Sequence, residues 1–414
     1  MTAAVIDRTR VAVTGVGVKT PVGLEPDPFW VGLLAGRSAA APISGLDTDD
    51  LPVRIACQVT DFDPAGYLDA KEVRRIDRVA QLGFAAAADA LADAGVIAAD
   101  PARCAVVAGT GIGGLGTLEE QKRVHLERGP SRVSPFTVPM MMPNAAAALI
   151  GMQLGWTGPN LCVATACAAG AHAVGEGVRL VRDGSAEVVL AGGAEAAITP
   201  LALSAFARMG ALSNRQDEPE RASRPFDVDR DGFVMGEGAA FLVLERWDRA
   251  VERDARIWGE IVGYGRNTDA HHVTAPAPGG AGAAACMQAA LDDAGLGPRA
   301  IGHVNAHGTS TPLNDAAEAE AIVKVFGDDG PPVTSIKGVT GHLVGAAGAA
   351  EAVASLLALR HGLVPPTANH ERTDPDIALD VVAGGPRQVP AAPVLSTSFG
   401  FGGHNAALVL AGAP

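Results

Sequence analysis

The sequence predicts an α/β protein built from two similar halves. Three observations carry that reading. Short β-branched runs ending in glycine alternate with alanine-rich helical windows. Segments of the first half return, in the same order, in the second. The residues able to do chemistry fall at strand ends and helix starts, where α/β folds place their sites. In chain order, "RVAVTGVGV" (Arg10 to Val18) reads as a buried strand, Val79 to Ala94 as a helix and "CAVVAGTG" (Cys104 to Gly111) as a second strand. His172 to Arg182 reads as a helix and "AEVVLAGG" (Ala186 to Gly193) as a third strand. Glu245 to Ala255 reads as a helical segment where the halves meet.

The repetition is weak locally but ordered. "ALADAG" (Ala90 to Gly95) returns as "ALDDAG" (Ala290 to Gly295), and each precedes a strand-like run with a small-residue turn, "CAVVAGTGIGG" and "GHVNAHGTST". "CAAGAHAV" from Cys167 returns as "GAAGAAEAV" from Gly345. "GFVMGEGAAFLVL" from Gly232 is echoed by "FGFGGHNAALVL" from Phe399. The division expected is an N-terminal half, 1–255, and a C-terminal half, 256–414. Such a duplication sets equivalent helices side by side at a pseudo-two-fold axis, so the Cys167 loop should meet the Lys337 to Gly345 loop.

Bulk composition bounds the function. The 414 residues are 48% hydrophobic and 19% charged, ample for a large core. A formal net charge of -14 argues against non-specific nucleic-acid binding. No run of 18 apolar residues lacks polar breaks, so no membrane span is expected. Asp7, Arg8 and Arg10 stand where a secretory signal needs an apolar core, and residues ahead of the first strand read as a short tail. Five cysteines (Cys57, Cys104, Cys162, Cys167 and Cys286) form no paired spacing, which suggests reduced thiols and a cytoplasmic location. No CxxC or Cys/His cluster suggests a metal.

Cys167 lies among alanines and glycines with no charge nearby in the chain. At a helix start, N–H groups and the helix dipole would favour its thiolate and make it a nucleophile. The second half supplies His307 in "VNAHGTSTP", and Lys337, His342 and Glu351 in "SIKGVTGHLVGAAGAAEAV". Two imidazoles can donate hydrogen bonds to one developing enolate oxygen, and a backbone N–H from "SFGFGG" can join that of Cys167 in an oxyanion hole. Taken singly, each feature also has an ordinary structural reading. Cys167 can be a small buried hydrophobe, "GHLVGAAGA" a close helix contact, and Glu351 a solvated helix residue. Cys57, Cys104, Cys162, Cys286 and His303 read as structural. His172, His271, His272 and His404 show no partner in the sequence.

Together these residues resemble the β-ketoacyl-acyl carrier protein synthases of the thiolase superfamily, especially the elongating type II enzymes and their actinobacterial relatives. The resemblance runs through "VAVTGVGVKTPVG", "GTGIGGLGTLEEQ", "RPFDVDRDGFVMGEGAAFLVLE", "NTDAHHVTAPAP", "NAHGTSTPLND" and "SFGFGGHNAAL". It implies a thiolase-like fold, with two duplicated α/β halves stacked in αβαβα layers. It also implies a decarboxylative Claisen condensation that yields a 3-oxoacyl-acyl carrier protein. Cys167 would take the acyl group, His307 and His342 would support malonyl decarboxylation, and Lys337 would pair with Glu351 to hold the histidines. The N–H groups of Cys167 and Phe401 match the oxyanion hole. Thr309 and Thr311 match positions that bind the phosphopantetheine arm, with Gly400 beside them, and Ile112 and Phe401 match residues gating the acyl pocket.

No cofactor is implied beyond the phosphopantetheine of the carrier. The implied partners are an acidic acyl carrier protein and a second copy of the chain, whose pocket would lie near Thr137 to Asn144. A heterodimer with a chain-length-factor-like subunit is the alternative assembly. Lys71, Arg74 and Arg75 match carrier-docking positions. Gly210 departs from the family where relatives often carry arginine, with Arg208 nearby. A specialised condensation with an altered outcome, and a non-catalytic partner subunit, are the competing readings. The latter lacks the cysteine that this chain has.

Overall fold

The structure, a computed structural model, describes residues 9–413. The expected tail with Asp7 and Arg8 lies outside the described residues. Ten strands form one sheet. The first half contributes β1 (Val11–Lys19), β2 (Cys104–Gly109), β3 (Asn160–Val163), β4 (Val188–Glu195) and β5 (Gly238–Arg246). The second contributes β6 (Gly259–Thr268), β7 (His303–Asn305), β8 (Val333–Thr334), β9 (Val394–Gly400) and β10 (His404–Gly412). Their order is β8-β7-β9-β10-β6-β1-β5-β4-β2-β3.

The same wiring appears twice. In the first half β2 runs parallel to β3 and β4, β4 antiparallel to β5, and β5 antiparallel to β1. In the second, β7 runs parallel to β8 and β9, β9 antiparallel to β10, and β10 antiparallel to β6. The halves join where β1 meets β6, pairing Ala12 with Glu260 and Val13 with Gly259. Most strands are buried along their length, as expected for a sheet covered on both faces.

Helices complete the layers. α1 (Arg78–Ala94) and α2 (Ala145–Leu154) cover the outer face of the first half. α5 (Ala281–Ala294) and α6 (Pro312–Phe326) cover the second. Between the halves, α3 (Ala169–Arg182) packs on α8 (Ala347–His361). The remaining helices named here are α4 (Pro200–Arg208) and the single turn α7 (Lys337–Thr340). α8 is buried from Ala347 to Ala358 on every side, and its alanines make that possible. The two central backbones nearly touch. A Cβ on Gly170 would lie 2.8 Å from the Gly345 carbonyl oxygen, and one on Gly348 would lie 2.7 Å from the Ala171 nitrogen. These are the glycines of the "CAAGAHAV" and "GAAGAAEAV" repeat, so the expected convergence of the two loops is present.

One expectation shifts. Glu245 and Arg246 of the supposed junction helix finish β5, and the helix covers only Trp247–Glu252. The apolar run through Leu244 extends the strand before helix-forming residues take over.

Candidate active site

Cys167 stands on a sharp turn between β3 and α3. Ala166 takes φ +49°, a left-handed conformation that costs an alanine about 1–2 kcal/mol. A 3₁₀ turn, Ala166–Ala168, then opens α3. No side chain caps α3, so its first N–H groups are left beside the thiol. The second half repeats the device. Val344 takes φ +46°, the 3₁₀ turn Val344–Ala346 follows, and α8 begins. At the position equivalent to Cys167 the second copy has Gly345, and a Cβ there would lie 2.3 Å from the Gly111 nitrogen. The duplication therefore keeps a thiol on one turn and uses the other for close packing.

The sulfur of Cys167 and ring nitrogens of His307 and His342 all lie within 4.8 Å of one another. Cys167 is 9% exposed, and both histidines are buried. His307 follows β7, and its N–H donates to Glu318 Oε1 (2.8 Å) and Thr397 Oγ1 (3.1 Å). Lys337 Nζ lies 3.2 Å from His307 Nδ1, donates to the His307 carbonyl at 2.5 Å, and forms a buried ion pair with Glu351. An ammonium has donors and no lone pair, so Nδ1 accepts and the ring proton sits on Nε2. His342 is fixed through its backbone, which donates to the Val234 carbonyl (2.8 Å) and accepts from Gly236 N–H (2.9 Å). Its ring nitrogens have no protein partner among the described residues. The ring stands edge-on to Phe233 (5.2 Å) and His307 (5.3 Å).

Burial dominates the electrostatics. It lowers the pKa of both His307 and His342 well below the ordinary imidazole value, and the Lys337 charge acts in the same direction. Both rings are neutral at physiological pH. Burial pushes the Cys167 thiol up to about 12, against the pull of Lys337 and the N–H groups of Phe401 and Cys167 itself. The helix start favours the anion, as expected, but desolvation by burial outweighs it and the resting group is a thiol. Lys337 pairs with Glu351 as expected, and it contacts His307 rather than its chain neighbour His342, because α7 turns its side chain toward the end of β7. Its ammonium beside both imidazoles also opposes a cation at the Cys167, His307 and His342 atoms.

These groups line a cavity of about 470 Å³. Ile112, Thr309, Thr311, Gly400 and Phe401 line it too. The hydroxyls of Thr309 and Thr311 lie 2.8 Å apart. A Cβ on Gly400 would lie 2.6 Å from the Thr165 carbonyl oxygen and 3.2 Å from the Cys167 nitrogen, so only glycine lets β9 end against the nucleophile turn. Phe401 follows and faces Phe206 at 6.4 Å. Exposed Met209 and Leu313 line the mouth.

Lys71, Arg74, Arg75 and Arg208 are exposed, and none lines the cavity. Arg75 stacks on Phe136 (4.6 Å). Gly210 takes φ +70°, a conformation that disfavours arginine there. Cys57, Cys104 and Cys286 are buried, and Cys162 is half-buried. Burial raises all four thiols.

Sequence reading missed Glu318, Phe233, Phe399 and Glu195. Two carboxylates one turn apart, Asp315 and Glu318, just after "HGTST" were the available signal for the first. His172, without a visible partner in the sequence, sits 2.8 Å from Thr165 Oγ1 and 6.5 Å, ring to ring, from His404.

The Lys337–Glu351 pair makes a separable prediction. Lys337→Met is expected to cost about 3–5 kcal/mol by leaving Glu351 charged and alone at 1% exposure. Adding Glu351→Leu should recover most of that loss in urea melts without restoring condensation. Equal melts for all three proteins would show the pair to be irrelevant to stability.

A duplicated α/β fold with Cys167, His307 and His342 in one cavity fits a carbon–carbon-forming acyltransferase. The chain belongs to the β-ketoacyl synthase family. The model of the β-ketoacyl synthase N-terminal domain matches residues 8–250, and that of the C-terminal domain matches 258–371. A 3-oxoacyl-[acyl-carrier-protein] synthase 2 of Synechocystis sp. is 47% identical over 407 residues, covering 97% of this chain and 98% of the relative. Among solved structures, the ishigamide ketosynthase/chain length factor superposes with a TM-score of 0.92 at 38% identity, covering 98% of this chain and 100% of that one. A type II polyketide ketosynthase solved with its acyl-carrier protein superposes with a TM-score of 0.90 at 31% identity, covering 98% and 100%. The thiolase-like ketosynthase fold and the acyltransferase class expected from sequence are thereby established.

Proposed function

We propose that this β-ketoacyl synthase elongates acyl chains on a carrier protein through Cys167, His307 and His342. The observation that carries the residue roles is the convergence of those three side chains within 4.8 Å in one cavity. In the first half-reaction the Cys167 sulfur attacks the thioester carbonyl of an acyl-phosphopantetheine. Its proton passes to the departing pantetheine sulfur by way of a neutral imidazole, and the carbonyl oxygen is held by the N–H groups of Cys167 and Phe401. In the second, malonyl-carrier enters. Its carboxylate leaves as carbon dioxide, and the electron pair of the broken C–C bond becomes an enolate whose oxygen accepts from the two imidazole Nε2–H groups. The enolate carbon attacks the Cys167 thioester, the C–S bond breaks, and the thiolate takes a proton from water. The product is a 3-oxoacyl-carrier.

Thr309 and Thr311 hold the phosphopantetheine arm, while Ile112 and Phe401 border the acyl chain. Lys337 and Glu351 orient His307. Apart from one proton taken up from water, all bond changes use groups of this chain and its two thioester substrates, with no cofactor besides the phosphopantetheine. The division into catalytic halves at 255/256 follows the placement of Cys167 on one side and His307, His342 and Lys337 on the other. The carrier docks through Lys71, Arg74, Arg75 and Arg208. The working assembly is a homodimer in the cytoplasm. With a chain-length-factor-like subunit, this chain would take the catalytic role, because it carries Cys167.

The test supplies purified protein with a panel of acyl-carriers plus malonyl-carrier. A 3-oxoacyl-carrier two carbons longer, with an acylated protein when malonyl-carrier is withheld, is expected. Neither species forming with any carrier would overturn the proposal.

A further inference from the structure

We propose that Glu195 is a positioning residue that fixes the wall of the acyl pocket and thereby its chain-length selectivity. The inference rests on the ketosynthase reading above. Glu195 ends β4 and is fully buried. No salt bridge reaches it among the described residues. Its Oε2 accepts the N–H of Gly111 (2.6 Å) and of Gly345 (3.1 Å), and its Oε1 accepts the Thr110 hydroxyl (3.2 Å). The Ile112 N–H also helps hold the carboxylate's charge. Thr110 Oγ1 in turn accepts the Gly113 N–H (3.2 Å).

One carboxylate therefore gathers a first-half loop, 110–113, and the second-half turn that follows His342. Both segments face the substrate: Gly111, Ile112 and Val344 line the cavity with Cys167. The junction has no slack. A Cβ on Gly111 would lie 2.7 Å from both Glu195 Oε2 and Val344 Cγ1. A buried carboxylate without a cation is costly unless donors surround it. Here the donors come from the pocket wall, and burial still pushes the group up to about 7. A glutamine can keep its oxygen on the N–H groups of Gly111 and Gly345 only by turning its NH₂ to Thr110 Oγ1, which must then accept instead of donate, so the loop is held differently.

The catalytic side chains have other supports. His307 is held by Glu318, Thr397 and Lys337, and His342 by the Val234–Gly236 backbone. Loosening Glu195 should therefore move Ile112 relative to Cys167 more than it moves the histidines.

The experiment follows acylation of Cys167 by intact-protein mass spectrometry with short, medium and long acyl-carriers, and measures malonyl-carrier decarboxylation in parallel. Glu195→Gln is expected to change the long-to-short rate ratio by roughly tenfold, the scale on which a hydrophobic pocket discriminates. Decarboxylation should stay within about twofold, since the two imidazoles keep their positions. Thr110→Val removes one contact and keeps the carboxylate, so a smaller change in the same direction is expected, whether or not the glutamine variant folds. An unchanged ratio in Thr110→Val, or an equal fall at every chain length in either variant, overturns the proposal. Wild-type protein that takes no acyl group from any carrier would instead remove the ketosynthase reading on which it rests.

Discussion

Cys167→Ala is expected to abolish covalent acylation and to lower condensation by at least about 10⁴-fold, the scale of removing an enzyme nucleophile. The same variant should still decarboxylate malonyl-carrier, because both imidazoles remain. The split follows from geometry: the thiol belongs to the first-half turn, and His307 and His342 belong to the second half. Intact-protein mass spectrometry reads the first function and carbon dioxide release the second. An acyl adduct on the alanine variant would sink the nucleophile assignment.

The state of the resting thiol sharpens this expectation. With the thiol pushed up to about 12, roughly one site in 10⁵ is ionised at neutral pH. Attack must therefore couple C–S bond formation to proton removal by a neutral imidazole next to the sulfur. Alkylation of Cys167 by a small neutral reagent should accordingly keep rising with pH well past the ordinary thiol range.

The meeting of Cys167 with His342 was legible because the duplication is legible. Gly170 and Gly348 stand at matching places in "CAAGAHAV" and "GAAGAAEAV", and those glycines let the central helices touch. Once the two turns meet, Lys337 and His342 must lie near Cys167. What escaped the sequence depends on distance in the chain. Glu195 and Glu318 look like ordinary acidic residues, and only the fold turns them into buried acceptors of backbone N–H groups, Glu195 from Gly111 and Gly345 and Glu318 from His307 and Gly308. The protonation of Cys167 escaped for the same reason. A helix start is a local feature, whereas the desolvation that overrides it comes from burial in the folded protein. Phe233 reaches the site because its segment pairs with the backbone of His342, which the spacing of neither reveals.

His307→Ala and His342→Ala should each lower malonyl decarboxylation by about 10²–10³-fold, the usual loss when one donor to a developing oxyanion is removed. Cys167 should still be acylated at least partly in both. Retained condensation in the two variants would remove the two-imidazole mechanism. The histidines differ in how they are held. His307 is locked by Lys337, so its Nε2–H points to the cavity before substrate arrives. The ring of His342 has no protein partner, so substrate itself completes its hydrogen bonding. A neutral donor in its place, His342→Asn, should therefore retain more decarboxylation than His342→Ala. The pH profile tests the same electrostatics. Because burial lowers both pKa values well below 6.5, the neutral, donating rings persist as pH falls through that value. Single-turnover decarboxylation should accordingly show no acid limb near pH 6.5. A half-maximal rate there would mean that the imidazoles titrate as if exposed, and that the second half does not keep water from them.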